Sequence, residues 1–283
     1  MKKSVLRVSV AILSILISFS FAVAAEHEDD KMSTKDNTRT EQGATMDRKA
    51  DDNAATAQNQ QDIMEARQKS EETVSQATAL LSDFSKATDK NRIPDAVLKE
   101  AKAMIIVPDV VRAGLIAGGR YGQGVLVTRN EKEWSNPVFI SLGGASLGAQ
   151  IGVESSDVIM VVQNQQVVDN LLQDNEFTLG ADASVAAGDI GASAQTTTAD
   201  VLTYQKTKGV FAGVALTGGV LDVDEDAMVA YYRTDDAASA YYGDEKEDGL
   251  AQKIIDGQKT DKMTAPQSAE TLKESLKRFA PQS

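Results

Sequence analysis

Few residues in this chain could carry covalent or metal chemistry. Cysteine is absent and the only histidine is His27. A thiolate nucleophile, a disulfide, a Ser-His-Asp triad in the core and a His- or Cys-ligated metal are therefore all excluded. An enzyme using carboxylates alone could draw on Asp157, Asp182 and Asp189, but such chemistry needs a cleft that raises their pKa values. Cations are sparse in the central region: Arg112, Arg120, Arg129, Lys132, Lys206 and Lys208, with no lysine or arginine between Lys132 and Lys206. The one tryptophan, Trp134, is either an interfacial anchor or a core residue.

Glycine-rich stretches could cradle phosphate, but the required spacings are missing. Gly122-Gln123-Gly124 is followed by Val127 where a dinucleotide fingerprint has its third glycine, and no Gly-Lys-Ser/Thr follows any glycine run. Asp222-Val223-Asp224-Glu225-Asp226 starts like a calcium loop. Ala227 then occupies the glycine position and Arg233 the glutamate position, so the stretch reads as a solvated acidic turn. No cofactor and no metal are expected.

The elements that position these residues centre on 112–153. Glycines 114, 118 and 122, then 144, 148 and 152, recur every fourth residue, and 134–153 holds no charge. Four is even, so such a row lines one face of a strand as well as one face of a helix. The β-branched flanks and the interrupting Arg120 favour strands over a membrane-helix zipper. Strand-like segments are read at 104–108, 114–118, 125–129, 138–142, 146–153, 158–163, 177–194, 201–206, 210–216 and 220–223, with a helix over 165–173. Segments 114–126 and 209–221 share Gly, Ala, Gly, Gly, Val and Leu in register and read as one strand–turn–strand device used twice. Were the copies adjacent, Arg120 and Lys208 would converge on one anion; the alternative is that each pairs with a local carboxylate.

Around this region the apolar spacing Val74, Ala77, Leu81 and Phe84, with Met64 further back, predicts an amphipathic helix over 62–90. Leu272, Leu276 and Phe279 predict another near the end. The N-terminus reads as a secretory leader: Lys2, Lys3 and Arg7, an apolar run, then small residues for cleavage near Ala24 or Ala25, with no cysteine for a lipoprotein anchor. The expected organisation is a signal peptide at 1–25, a disordered polar linker at 26–60, a domain at 61–243 with its core at 93–232, and a polar tail at 244–283 with one amphipathic helix. Three of the 29 basic and none of the 42 acidic residues lie in the leader, leaving 26 against 42, a net charge of −16. Such acidity opposes nucleic-acid binding.

Several motifs together resemble one family. Ile93-Pro94, Ala101-Lys102, Pro108, Gly118-Gly119-Arg120, Gly122-x-Gly124, Trp134-Ser135-x-Pro137, Gly148-x-Gln150-x-Gly152 and Asp157 are similar to the SYLF domain. So are Leu179-Gly180-x-Asp182, Ala186-Ala187-Gly188, Tyr204, Lys208-Gly209-x-Phe211-Ala212-Gly213 and Tyr231-Tyr232. The usual Tyr-Tyr-Gly ending is broken by Arg233, and Tyr241-Tyr242-Gly243 follows ten residues later. The resemblance implies an α+β fold: a β-rich antiparallel sheet or partly closed barrel packed with flanking helices, without catalytic activity. It also implies lipid binding, so the expected partner is a phospholipid or other amphiphile at a membrane surface, met by Arg120, Lys208, Arg112 and Trp134. The expected location is periplasmic or secreted. The alternative is a cell-envelope scaffold that binds protein and no lipid.

Overall fold

The computed structural model describes residues 41–88, 91–114, 117–130, 133–147, 152–191, 199–233, 249–257 and 263–281. The expected leader and residues 26–40 lie outside them. Residues 50–283 form one unit, and the architecture below is that of this unit. No described helix is long and apolar enough to cross a membrane.

The first helix, α1 (Glu41–Ser85), starts well before the 62 set by apolar spacing. Residues 41–60 hold only Met46 as a large apolar side chain, but five alanines and three glutamines, which favour helix. The buried face of α1 is Ile63, Val74, Ala77, Leu80, Leu81 and Phe84; Met64 is exposed. Burying each of these side chains larger than alanine stabilises by about 1.5–3 kcal/mol. Ser70 and Thr73, also buried, return their hydroxyls to backbone carbonyls one turn earlier. A short α2 (Asp95–Glu100) follows Pro94.

Four strands come next: β1 (Ala103–Gly114), β2 (Ala117–Thr128), β3 (Val138–Leu147) and β4 (Gly152–Val162). The strand expected at 114–118 is instead the β1–β2 hairpin. Glycine row and strand thus part company there, because Gly114 ends one strand and Gly118 lies in the next, as register partners. α3 (Gln165–Asp174) matches its expected span and is capped by the Asn164 side chain. Among the described residues of 177–194, the strands are β5 (Glu176–Thr178) and β6 (Val185–Ala187), with an isolated bridge between Leu179 and Ala183. β7 (Val201–Thr207), β8 (Val210–Gly213) and β9 (Gly219–Val223) complete the sheet. The segment read as an acidic turn opens a helix, α4 (Glu225–Tyr232), whose N-cap is Asp224. Glu225 and Asp226 in its first turn complement the helix dipole. α5 (Leu250–Ile255) and α6 (Gln267–Phe279) follow, and α6 buries Leu272, Leu276 and Phe279 in the common core.

The sheet runs β5-β9-β3-β2-β1-β4-β7-β6, with β8 also on β7. All described pairs are antiparallel except β6–β7, so the sheet is mixed. β6 pairs residues 201–203 and β8 pairs residues 204–207, so the two share the outer edge of β7 end to end. Chain reach then fixes the curvature. β8 and β9 lie six strand spacings apart in this order, about 29 Å in a flat sheet. The chain from Gly213 to Gly219 spans at most about 22 Å. β5 and β6 pose the same problem across 179–184. The sheet must curl until its ends approach, a partly closed barrel with helices outside.

This topology also corrects the repeat. Segment 114–126 builds the β1–β2 hairpin, whereas 209–221 runs through β8 and crosses to β9 beside β3. The two are not one device used twice. Small residues recur for separate reasons: Gly118 and Gly124 face β1, where an added Cβ would sit 2.2 Å from the Ala113 and Ile106 carbonyl oxygens. Gly213 meets Gly188 where β6 and β8 abut.

Candidate functional site

Arg112 and Arg120 lie opposite each other on β1 and β2, and Glu154 of β4 faces Arg112 from the other side. Arg120 donates weakly to the Ala145 carbonyl at 3.4 Å. Burial, then the charge of Arg112, holds its pKa below the ordinary value. Lys208 sits apart, exposed in the β7–β8 turn with φ of 50°. Three strand spacings, about 14 Å, separate its strand from that of Arg120. The two segments are thus not adjacent, and adjacency was the condition for Arg120 and Lys208 to converge on one anion.

Trp134 is 1% exposed and lies beneath the Arg129 guanidinium, 4.5 Å from the ring centroid. Arg129 in turn donates to the carbonyls of Leu98 at 3.0 Å and Ala280 at 2.7 Å. These residues tie the ends of α2 and α6 to β2, and Trp134 is a core residue without access to a surface ligand. The three candidate carboxylates are likewise scattered. Asp157 accepts from the Asp109 amide at 3.1 Å, in the bulge that Pro108 and Asp109 make in β1. Asp182 accepts from the Thr178 amide at 2.6 Å. Asp189 lies near Tyr204, whose phenol is pushed far up by burial and then by that charge. None of the three lines a cavity described below.

The concave feature of most interest runs between α1 and the sheet. Two adjoining cavities of about 180 and 280 Å³ share Lys69, Thr73 and Gln123. Phe139, Ile140 and Ala227 line the first, and Pro108, Val111 and Tyr121 line the second. Val111 and Tyr121 are register partners, 44% and 48% exposed. Ala113, Gly119, Ala145, Val153 and Ser155 continue this face as an exposed, uncharged lip. Carboxylates of Glu72, Asp109, Asp224 and Asp226 stand around the groove, against the single ammonium of Lys69. Gln123 donates to Asp224 at 3.3 Å, while the other Asp224 oxygen accepts from the Ala227 amide at 3.0 Å. Tyr121 has its phenol pushed up by burial and then by Asp224. Two further cavities lie elsewhere: one of about 300 Å³ lined by Phe84, Leu98 and Phe279, and one of about 520 Å³ lined by Asn136, Tyr232, Met263 and Lys273.

Sequence reasoning passed over Val111, Tyr121, Gln123 and Glu72. A signal existed for two of them. In β2, Gly118, Arg120, Gly122 and Gly124 occupy even positions, so Gly119, Tyr121 and Gln123 must face the other way.

Comparison with known proteins follows the same direction as the geometry. A family described as Ysc84, Las17-binding protein actin regulator, matches residues 143–279. An SH3 domain-containing protein of Schizosaccharomyces pombe is 38% identical over 151 residues, 50% of this chain and 35% of the relative. LAS seventeen-binding protein 3 of Saccharomyces cerevisiae is 35% identical over 148 residues, 50% of this chain and 32% of the relative. The human SH3 domain-containing YSC84-like protein 1 is 32% identical over 169 residues, 56% and 49% of the two chains. The chain thus spans about a third to a half of the length of these relatives. Their names, and the family description, point to protein partners and describe a regulator, not an enzyme. The expectation of a phospholipid or other amphiphile as partner is corrected by these names, and the burial of Trp134 removes one of its four supports. The motifs, the α+β fold and the matched residues agree: over residues 143–279 the chain is similar to the Ysc84/SYLF domain family.

Proposed function

We propose that this chain is a non-enzymatic protein-interaction module that acts as a scaffold in the cell envelope. The observation that carries the reading is the groove between α1 and β2 with its exposed, uncharged lip around Tyr121 and Val111. An exposed tyrosine and valine among small residues on a rigid sheet suit a protein contact, since aromatic anchors dominate such interfaces. The relatives' names, which include binding to a protein, support the same class of partner. The leader-like N-terminus supports export to the periplasm or beyond, with cleavage near Ala24 or Ala25 and no lipoprotein anchor.

The test is native mass spectrometry of the chain purified from its own cells without crosslinker. The expected result is a complex heavier by the mass of one polypeptide, with the chain's N-terminus at Ala25 or Glu26. A chain that flies alone, or with a lipid-sized adduct only, contradicts the reading.

A further inference from the structure

We infer that the groove between α1 and β2 takes a segment of the partner in which lysine or arginine alternates with apolar side chains. This rests on the protein-interaction reading and adds the chemistry of the partner. The shape argues for a peptide. Along α1 the lining runs from Ala66 to Gln76, a rise of about 15 Å of helix, enough for four or five extended residues. Its floor is apolar, with Phe139 and Ile140 at one end and Val111 and Tyr121 at the other.

Charge decides the partner's sign. Four carboxylates face one ammonium, so an anionic segment is repelled and a wholly apolar one strands the carboxylates without water. The negative field extends past the groove. Gln123, Ser141, Asp222 and Glu176 are successive register partners across β2, β3, β9 and β5. Asp222 and Glu176 are thus like charges directly opposite, and burial together with Glu176 pushes the Asp222 pKa up. A cation entering from the partner relieves that repulsion. Lys69 is the one cation lining the groove.

The experiment uses a fluorescein-labelled peptide of twelve residues alternating leucine and arginine, read by anisotropy against the purified chain at physiological salt. Saturable binding is expected, with loss when glutamate replaces the arginines and when glycine replaces the leucines. Glu72→Gln combined with Asp226→Asn should weaken binding about tenfold, as should Tyr121→Ala, while Lys69→Ala tightens it. The control is Asp95→Asn with Glu100→Gln, exposed on α2, which removes equal charge from an element that does not line the groove and should leave affinity within about twofold. Thermal melts of each variant confirm folding. Equal weakening by the groove and control pairs, or equal binding of the glutamate peptide, overturns the inference. If the peptide fails while a protein partner still crosslinks at position 121, this inference falls and the protein-interaction reading stands; if neither binds, both fall.

Discussion

Asp200 shows how single polar residues hold this fold together. Its carboxylate accepts from the Ser184 amide at 2.9 Å, the Ser184 hydroxyl at 2.6 Å and the Asn164 side chain at 2.8 Å. It thereby clasps the starts of α3, β6 and β7. These hydrogen bonds stabilise the charged form and hold its pKa below the ordinary value. A depressed carboxylate contributes stability above its unfolded pKa and loses it as pH falls through the folded one. Asp200→Asn should therefore cost about 1 kcal/mol at neutral pH, with the gap to wild type closing below about pH 4, measured by urea unfolding across pH. Trp134 illustrates the opposite case, a residue of apparent surface function that is buried. Trp134→Ala should destabilise by about 3–5 kcal/mol in the same assay. A surface anchor would cost far less.

The elements were legible in proportion to how local their causes are. The periods of α1, α3 and α6 appear in the sequence because one face meets the core at every turn. Residues 222–226 misled because an N-cap followed by acidic residues has the composition of a solvated turn, and only the buried Met228, Val229 and Tyr231 disclose α4. The four-residue glycine spacing was legible as strand, yet its cause was not. The glycines of β2 admit the backbone of β1, a neighbour in the same sheet, and such proximity depends on curl. This separates two substitutions of equal chemistry. Gly124→Ala places a methyl against the Ile106 carbonyl and should cost about 1–3 kcal/mol. Gly143→Ala, with nothing within 4 Å of the new methyl, should stay within about 1 kcal/mol of wild type. Melting temperatures of the pair decide it, and equal losses would contradict a curled β1–β2 contact.

At the scale of the whole molecule, long-range pairing carried most of what the sequence could not. Nothing local reveals that β8 and β9 sit at opposite ends of a sheet, so a likeness between 114–126 and 209–221 suggested a repeat, on whose adjacency a shared anion site for Arg120 and Lys208 depended. The family motifs were legible because they mark closure: Tyr231 meets Ser268 of α6 at 2.7 Å, and Tyr232 donates to the Pro137 carbonyl at 2.6 Å. They identify the fold and leave the ligand open, which is how a lipid was expected where the relatives' names point to protein. Because α6 supplies Leu272, Leu276 and Phe279 to the core and its end binds Arg129, removing residues 263–283 should abolish cooperative unfolding, seen as a loss of the calorimetric transition. The groove itself is assembled from α1, β1, β2, β3 and the start of α4, far apart in the chain, and only the closed fold brings them together. The most direct measurement of its role is photocrosslinking in living cells with benzoylphenylalanine at position 121 and, as control, at the exposed Val210 on β8. A discrete protein adduct at 121 and none at 210 is predicted; equal labelling at both positions, or no protein adduct at 121, would contradict a partner bound at this groove.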